Sequence, residues 1–467
     1  MRYAVIGAGL AGLTCAYELS RADEGASVEV YEAADRIGGK LFTVPFEGGP
    51  VDMGAEAFVG RGEQPVGFFK ELGLADRLVY PSSLRSLLYT GGAAVELPRG
   101  TMMGIPASGE AVREIVGAEA AARIDAEATA EPIPWEIGAE VNVGALVRGR
   151  YGDEVADRCV SALLGGVYSC GADDLGLRAT VPALAEAMDA LARRGEPVRL
   201  SAAVREALDN RSGGTLDKPV FATFKGGYAE LYEALAERAE RARIYVDAFV
   251  AGVRRQGAGF ELKGAGEGVY DRVILATPAP TTALLLGEVA PRAAAALREV
   301  RLASSAVVGM RFDSAEGLPE NSGVLVAADE PGLRAKAFTL SSRKWPHLGR
   351  RGGAVVRASF GRLGQDELVR AEEDDLVDYA LDDLRAVTGF DGRAAGSSEI
   401  FVQRWFGGLP CYGDGHLDVV ARVRAALAEV PGVEATGAWA GGVGVPAVIE
   451  DARAAAGRAR QARRAQR

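Results

Sequence analysis

Histidine and cysteine are scarce in this chain. Its 467 residues include two histidines, His347 and His416, and four cysteines that show no CxxC or CxxxC spacing. A zinc site or a histidine-based catalytic triad needs several such side chains close together. We therefore expect no metal site and a structural role for both histidines. The cysteine pattern fits the reducing cytoplasm.

Long uncharged runs are also missing. No stretch reaches the roughly 18 apolar residues that a membrane-spanning helix requires, and no charged leader precedes an apolar run at the start of the chain. The formal net charge of -11 disfavours a phosphate backbone as a partner. The sequence thus predicts no membrane span, no secretion and no nucleic-acid binding. Peripheral contact with a membrane stays open.

The start of the chain has the pattern of a βαβ unit. Residues 2–7 form a short apolar run, and residues 10–21 carry apolar side chains at helical spacing. Residues 28–33 form a second run of the same strand-like type. This order predicts two parallel strands joined by a helix.

Three glycines occupy the turn between the first strand and the helix. Gly7, Gly9 and Gly12 form the pattern G-x-G-x-x-G. Gly7 allows the tight turn, Gly9 allows the backbone to approach a pyrophosphate, and Gly12 allows the helix to pack on the strand. The free N–H groups of the helix start suit the anion. Glu32, twenty residues after Gly12, is placed to bind ribose hydroxyls. The pattern predicts a dinucleotide site of the kind that NAD and FAD share.

A second glycine turn favours FAD over NAD. After Glu32 the chain continues with Arg36, Gly38 and Gly39 in EAADRIGGK, which places a cation to cover the pyrophosphate from the other side. An NAD domain has no need of this element. Gly54 in VDMGAEAF allows the backbone to come close to a flat ring, as an extended FAD requires. We therefore predict FAD as the cofactor.

With these motifs, the sequence resembles the superfamily of flavin amine oxidases and protoporphyrinogen oxidases. In that superfamily the chain leaves the nucleotide domain and returns, and TGAWAGGVGVPAVIEDA near the end resembles the returning FAD segment. The resemblance implies that its glycines let the backbone lie against the isoalloxazine ring. Pro446 in the first helical turn would leave the N–H groups of Ala447, Val448 and Ile449 aimed at the flavin edge where negative charge collects on reduction.

Four further stretches resemble the coproporphyrinogen III and protoporphyrinogen oxidases in particular: ELPRGTMMGIP (96–106), LLGGVYSCGADDLGLRAT (163–180), TFKGGYAELYEALAERA (223–239) and QRWFGGLPCYGDGH (403–416). The resemblance implies an FAD-dependent oxidase that converts coproporphyrinogen III to coproporphyrin III in haem biosynthesis. It implies oxygen as the acceptor, release of hydrogen peroxide, and contact with a haem-pathway enzyme. Protoporphyrinogen IX is the alternative substrate. Such chemistry is centred on the flavin and needs no side-chain nucleophile, so we name no catalytic residue.

The motifs and the resemblance together assign the cofactor site. Its expected residues are Gly7, Ala8, Gly9, Leu10, Ala11, Gly12, Glu32, Ala33, Arg36, Gly39, Lys40, Gly54, Ala55, Glu56, Ala57, Val250, Trp405, Gly437, Val443, Ala447, Val448 and Ile449. The resemblance alone places Val250 beside the adenine and Trp405 near the flavin. Because coproporphyrinogen carries propionates, we take Arg61, Arg85 and Lys225 as candidate substrate-binding cations.

The expected fold class is α/β, with a glutathione-reductase-like FAD-binding Rossmann domain, a mixed-sheet substrate domain and a helical insertion. The expected segments are 1–90, 216–300 and 406–467 for the FAD-binding domain, 91–215 for the helical insertion and 301–405 for the substrate-domain sheet. Residues 243–255 show strand-like alternation and predict one continuous strand.

Three alternatives stay open beside the porphyrinogen oxidase. A flavin amine oxidase needs an aromatic pair over the flavin, for which Trp439 and Tyr412 are available, although AWAGGVG lacks the tyrosine that such enzymes place there. A carotenoid desaturase is the second alternative. A Rab GDP-dissociation inhibitor keeps this fold as a prenyl-binding chaperone without flavin chemistry, and the intact second glycine turn argues against it.

Overall fold

The computed structural model of the chain describes residues 1–22, 25–60, 63–212 and 219–461. The chain divides into two compact units. Unit 1 combines Met1–Tyr80, Pro219–Arg301 and Asp418–Arg467, and unit 2 combines Pro81–Lys218 and Leu302–Leu417. The functions expected for the individual segments stay predictions.

The elements are numbered in chain order. The strands are β1 (Arg2–Ile6), β2 (Ser27–Tyr31), β3 (Thr43–Phe46), β4 (Gly49–Asp52), β5 (Phe58–Val59), β6 (Leu78–Val79), β7 (Ser86–Thr90), β8 (Ala93–Glu96), β9 (Thr101–Met102), β10 (Ile105–Pro106), β11 (Phe221–Phe224), β12 (Ala242–Tyr245), β13 (Val250–Gln256), β14 (Gly259–Gly264), β15 (Arg272–Leu275), β16 (Leu302–Phe312), β17 (Gly323–Val326), β18 (Ala335–Thr339), β19 (Ala354–Phe360), β20 (Ser397–Pro410) and β21 (Val433–Ala435). The helices are α1 (Leu10–Ala22), α2 (Glu63–Glu71), α3 (Ala118–Ala126), α4 (Val143–Tyr151), α5 (Ser161–Tyr168), α6 (Leu177–Thr180), α7 (Pro182–Arg193), α8 (Leu200–Ser212), α9 (Ala229–Arg238), α10 (Ala279–Leu286), α11 (Pro291–Leu297), α12 (Ser341–Lys344), α13 (Pro346–Gly349), α14 (Asp366–Val369), α15 (Glu373–Thr388), α16 (His416–Ala428) and α17 (Val445–Gln461).

Unit 1 is built on a five-stranded sheet with the order β12-β2-β1-β15-β21, in which every neighbouring pair is parallel. Ala4 and Val5 of the central strand are fully buried, as expected for a parallel sheet that helices cover. Helices α1, α9 and α17 share one apolar core with the sheet, through residues such as Leu13, Leu231 and Ala452. Three separate parts of the chain thus form one sheet and one core.

Unit 2 contains a seven-stranded mixed sheet with the order β20-β16-β19-β18-β17-β7-β8. Strands β7 and β17 are parallel, and the other neighbours are antiparallel. Leu376 and Leu384 of α15 share an apolar cluster with Val308 and Phe360 of the sheet. A parallel sheet, a mixed sheet and a run of helices from α3 to α8 confirm the predicted α/β class. Within the described residues, no helix is long and apolar enough to cross a membrane.

The prediction of one continuous strand over residues 243–255 is wrong. Strand β12 ends at Tyr245 and β13 begins at Val250, and between them Asp247 has a φ angle of 51°. Strand β12 belongs to the parallel sheet beside β2, whereas β13 forms an antiparallel hairpin with β14. Strand β12 alternates in exposure, whereas β13 alternates only at its start and then shifts register between Val250 and Gly252. The alternation of residue types in the sequence therefore does not reveal the break between the strands.

A buried carboxylate anchors helix α7 in unit 2. Asp189 accepts hydrogen bonds from Trp135 Nε1 at 2.9 Å, from the Gly138 N–H at 3.1 Å and from Arg178 Nη1 at 3.0 Å. Burial alone would raise the pKa of Asp189, but the hydrogen bonds from Arg178, Trp135 and Gly138 lower it to about 2. The ionised carboxylate therefore ties α7 to the segment before α4.

Replacing Asp189 with asparagine is expected to lower the free energy of unfolding at neutral pH by about 1–3 kcal/mol, because the Arg178 guanidinium loses its negatively charged partner. A carboxyl with a lowered folded-state pKa contributes stability above its unfolded pKa of about 3.9. That contribution disappears as the pH falls towards the folded value. Denaturant unfolding of both proteins should therefore show a difference that is constant above about pH 5 and shrinks towards pH 3. Asp209→Asn, at an exposed position on α8, is the control, and an equal loss in both variants would contradict the account.

Candidate functional site

Two glycine segments that are far apart in the sequence meet at one edge of the parallel sheet in unit 1. Gly7 and Gly437 lie just beyond the carboxyl ends of β1 and β21, and β15 runs between these strands. A Cβ atom placed on Gly7 would be 2.7 Å from the Ala276 carbonyl oxygen, and one on Gly437 would be 3.6 Å from the Thr277 carbonyl oxygen. Doubly wound sheets bind nucleotides at this edge.

Two glycines of the first turn, Gly7 and Gly12, have no room for a side chain. Gly7 has a φ angle of 101°, which residues with a Cβ rarely adopt. A Cβ on Gly12 would lie 1.8 Å from the Gly7 carbonyl oxygen, so α1 packs directly on the turn. The N–H groups of Leu10 and Ala11, in the first turn of α1, have no acceptor within the helix. Donors of this kind at a helix start bind phosphate.

The second glycine turn touches the first. The Gly38 N–H donates to the Ala8 carbonyl at 2.9 Å, and Gly9 and Gly38 form an isolated parallel bridge. A Cβ on Gly39 would be 2.9 Å from the Gly9 Cα. A Cβ on Gly9 would have the Gly39 Cα, at 3.7 Å, as its single neighbour within 4 Å among the described residues. Gly9 therefore presents bare backbone with open space beside it, as the predicted approach of a pyrophosphate needs.

Glu32 follows β2 and lies beside the first turn. Its carboxylate accepts hydrogen bonds from the N–H groups of Ala8 at 2.7 Å and Ala34 at 2.9 Å. The Ala248 N–H donates to the Glu32 carbonyl at 2.8 Å. The structure thus brings the segment before Val250 to Glu32. The residues predicted for adenine and for ribose therefore lie in one region of unit 1.

The Arg36 guanidinium closes the second glycine turn. Its Nη1 donates to the Ile37 carbonyl at 3.0 Å and its Nη2 to the Gly39 carbonyl at 2.7 Å. The guanidinium carbon lies 4.0 Å from the centre of the Phe42 ring, and burial lowers the pKa of Arg36. Arg36 therefore organises the turn that touches Gly9. Its direct contact with a pyrophosphate stays a prediction.

Replacing Arg36 with methionine is expected to weaken flavin binding at least tenfold while the protein still folds. The turn loses charged hydrogen bonds worth about 1.5–3 kcal/mol each to buried acceptors, and its register against Gly9 loosens. The measurement is titration of the flavin-free protein with FAD. Arg254→Met, which removes an exposed arginine of unit 1 that pairs with Glu261, is the matched control. Equal affinity in the two variants would show that Arg36 does not shape the site.

The segment that carries Gly54 runs against the second turn. The Met53 N–H donates to the Phe42 carbonyl at 2.7 Å. A Cβ on Gly54 would lie 1.9 Å from the Lys40 carbonyl oxygen, so only glycine fits there. The Lys40 side chain is half-buried, and burial lowers its pKa to about 8. A neighbouring anion would raise this pKa again, and the place of Lys40 in the cofactor site stays a prediction.

The C-terminal helix packs on the helix that follows the first glycine turn. The Cys15 thiol of α1 donates to the Ala452 carbonyl of α17 at 3.3 Å. Before α17, Gly442 has a φ angle of 140°, and a Cβ on it would be 2.8 Å from the Ala447 Cβ. The sharp entry into α17 therefore depends on glycine.

Two of the three donors predicted in α17, the N–H groups of Val448 and Ile449, are wrong. The Val448 N–H donates to the Gly444 carbonyl at 3.0 Å, so the helix already uses it. Because α17 begins at Val445, the N–H of Ile449 also lies beyond the free donors of the first turn. The first-turn N–H groups of Val445 and Ala447 stay available to a ligand. The sequence motif correctly placed Pro446 in the first turn of the helix. It assigned the free N–H groups to residues 447–449, whereas the available ones belong to Val445 and Ala447.

A polar network that the sequence did not reveal fixes α17. Asp451 accepts hydrogen bonds from Arg424 Nη2 at 2.5 Å and from Thr436 Oγ1 at 2.6 Å. Arg424 Nη1 donates to the Ala435 carbonyl at 2.5 Å. The network joins α16, β21 and α17, and so orients the first turn of α17 beside the sheet edge. No motif or spacing marks these residues in the sequence.

Four further candidates, Trp405, Arg85, Lys225 and Arg61, take no part in the contacts described above. Trp405 is half-buried on β20 in unit 2, and its predicted place near the flavin stays a prediction. Arg85, also in unit 2, forms an ion pair with Glu96 of β8. Lys225 is exposed in unit 1, and Arg61 lies outside the described residues. Substrate binding by these three cations stays a prediction.

The geometry of unit 1 fits an extended dinucleotide with a flat ring. The backbones of the two glycine turns are in direct contact, and the space beside Gly9 is open. Two helix starts, those of α1 and α17, face the same sheet edge with free N–H groups. The Glu32 carboxylate lies beside the first turn, and its contact with ribose hydroxyls stays a prediction. A second glycine turn and a returning C-terminal segment exceed what a nicotinamide nucleotide needs, and both suit FAD.

Comparison with known proteins agrees with this geometry. A family model described as flavin containing amine oxidoreductase matches residues 10–460. The coproporphyrinogen III oxidase of Mycobacterium tuberculosis is 42% identical over 462 residues, which cover 98% of this chain and 96% of that protein. The coproporphyrinogen III oxidase of Bacillus subtilis is 27% identical over 471 residues, 97% of this chain and 96% of that protein.

A solved structure from Exiguobacterium, named "Putative protoporphyrinogen oxidase", superposes with a TM-score of 0.85 at 26% identity and covers 98% of both chains. The family model and these relatives cover nearly the whole sequence. The chain therefore belongs to the flavin-containing amine oxidoreductase family, and its cofactor is FAD.

Proposed function

We propose that this protein is an FAD-dependent oxidase that converts coproporphyrinogen III to coproporphyrin III in haem biosynthesis. The observation that carries the proposal is the likeness, over nearly the full length of both chains, to proteins named coproporphyrinogen III oxidase. The two glycine turns and the helix starts of α1 and α17 in unit 1 support the proposal, because this chemistry depends on a tightly held flavin and needs no side-chain nucleophile. Bound FAD supplies an acceptor for a hydride from the substrate.

The chain's own residues act by binding and orienting. The N–H groups of Leu10 and Ala11 hold the pyrophosphate, and Gly9 lets it approach. Glu32 binds the ribose hydroxyls. The free N–H groups of Val445 and Ala447 stabilise negative charge at the flavin edge, since the helix start carries a partial positive charge. We assign no general base.

The finer parts of the proposal concern the setting of the reaction. Molecular oxygen takes the electrons and leaves as hydrogen peroxide, and the protein acts in the cytoplasm. Contact with a neighbouring haem-pathway enzyme and peripheral contact with a membrane are further expectations. All four cysteines are buried and none forms a disulfide, which supports the reducing compartment.

The experiment that tests the reaction class is anaerobic mixing of the flavin-loaded protein with one candidate substrate at a time. We expect coproporphyrinogen III to bleach the flavin absorbance within one turnover, and a primary amine to leave it unchanged. Admission of oxygen should then restore the absorbance with formation of peroxide. Bleaching by the amine and not by the porphyrinogen would replace the proposal with an amine oxidase.

Protoporphyrinogen IX oxidation is the second candidate. It is favoured by the name of the solved structure that superposes over the full chain. The two substrates share the macrocycle and differ in that coproporphyrinogen III carries two more propionates. Rates measured side by side with the two porphyrinogens decide between the candidates.

A further inference from the structure

Unit 2 contains a buried lysine that no motif marked. Lys336 on β18 is 6% exposed. Its Nζ donates to the Ser169 hydroxyl at 2.5 Å and to the Gly361 carbonyl at 2.7 Å. Burial, and after it the charge of Arg362, lowers the pKa of Lys336 to about 7. Both acceptors are neutral, so the ammonium has no opposite charge among them.

A second cation lies beside it. Arg362 follows β19 and is partly buried, and burial lowers its pKa. Its Nη2 donates to the Val326 carbonyl at 3.3 Å, whereas its Nε is buried without an acceptor among the described residues. A Cβ placed on Gly165 of α5 would lie 3.5 Å from this Nε, so the small residue leaves space for the guanidinium.

The immediate surroundings supply too little negative charge for these two cations. Among the described residues, no Asp or Glu pairs with Lys336 or Arg362, and the other titratable group acting on Lys336 is the thiol of Cys170. The carboxyl end of α5, which Ser169 terminates with a φ angle of 54°, contributes about half an elementary charge. One buried and one partly buried cation, against about half a negative charge, leave a net positive site, which is costly without an anion.

We infer that Lys336 and Arg362 form a carboxylate-binding site, and that its ligand is a propionate of the porphyrinogen. This inference rests on the proposed function, which supplies a substrate whose only anionic groups are propionates. Arg362 is the more exposed of the two and contacts the carboxylate with its free N–H groups. The more deeply buried Lys336 adds a second positive charge that attracts the carboxylate. Lys336 also positions Arg362, because its bond to the Gly361 carbonyl holds the turn that carries the guanidinium.

The test measures substrate and product binding in the flavin-loaded protein. Arg362→Met and Lys336→Met are compared with Arg385→Met, which removes an exposed arginine of unit 2 that pairs with Asp391. We expect Arg362→Met to raise the KM for coproporphyrinogen III and the Kd for coproporphyrin III about tenfold or more, with kcat within twofold of the wild type. Arg362→Lys should recover part of the loss. The control should change neither constant.

A second readout separates ligand binding from a purely structural role. In the absence of porphyrin, Lys336→Met should keep or raise the melting temperature, because it removes a buried uncompensated charge. Lys336 as a simple cap of α5 would instead give a lower melting temperature with an unchanged KM, and this result would overturn the inference. If Lys336→Met fails to fold, the KM and Kd of Arg362→Met alone decide whether the site binds the substrate carboxylate.

The outcomes distinguish this inference from the proposed function. Wild-type turnover of coproporphyrinogen III, with Arg362→Met unchanged in KM and Kd, would overturn the inference and leave the function intact. A flavin-loaded wild type that neither oxidises coproporphyrinogen III nor binds coproporphyrin III would overturn both.

Discussion

Alanine at position 12 is expected to lower the free energy of unfolding of unit 1 by about 3 kcal/mol or more, and flavin should be lost as a consequence. The new Cβ would lie 1.8 Å from the Gly7 carbonyl oxygen, a backbone atom that cannot rotate away. Helix α1 would have to move off the turn, and its core contacts with α17 would be disrupted. Thermal unfolding of the purified variant, together with its flavin content, measures the effect.

Gly457→Ala is the matched control for this substitution. Gly457 lies within α17 of the same unit, and a Cβ there meets nothing within 4 Å. Alanine in an uncrowded helix interior should stabilise the protein by up to about 1 kcal/mol. A Gly12→Ala protein with wild-type stability would contradict the close packing of α1 on the turn.

Valine at position 9 should give a different result, with loss of flavin from a protein that stays folded. A Cβ at this position has one neighbour, the Gly39 Cα at 3.7 Å, which is an ordinary contact. The side chain would instead occupy the open space where the pyrophosphate approaches. We expect FAD affinity to fall about 100-fold or more, equivalent to about 3 kcal/mol, with a melting temperature close to that of the flavin-free wild type.

Flavin content after purification and titration of the apoprotein with FAD measure this second effect. Gly9→Ala, with a single methyl group, should fall between wild type and Gly9→Val. A Gly9→Val protein that purifies with its full yellow colour would show that the pyrophosphate does not pass at Gly9.

The parts of the site that the sequence predicted are those that depend on glycine. Gly7, Gly12 and Gly54 are required where another residue would meet backbone atoms, so the requirement appears directly in the sequence. The resemblance to the flavin amine oxidases also implied the return of the chain, and the C-terminal glycine segment does lie between the short strand β21 and helix α17. The α/β class followed from the same alternation of strands and helices.

The parts that the sequence could not predict depend on partners distant in the chain. Asp451 and Arg424 bond to each other only because α16 and α17 flank β21. The end of β15, which separates the two glycine segments, carries no glycine motif, although the run RVIL followed by small residues was a weak signal of it. The misassigned N–H of Val448 shows a further limit, because the exact first residue of a helix decides which N–H groups are free.

Unit 2 shows the same limit for charged residues. The three cations chosen from the sequence were surface candidates, and Arg85 proved to be paired with Glu96. Lys336 sits in the strand AKAFT, where a lysine reads as an exposed strand residue, yet the structure buries it beside Arg362. Burial of a cation without a carboxylate is a tertiary property and has no signature in local sequence.

The measurement that tests the central claim most directly is aerobic turnover of the flavin-loaded protein, with coproporphyrinogen III and protoporphyrinogen IX in parallel. Porphyrin fluorescence and hydrogen peroxide are followed together. We expect both signals to rise in proportion, and to rise faster with coproporphyrinogen III. A yellow, folded protein that gives neither signal with either porphyrinogen would contradict the account.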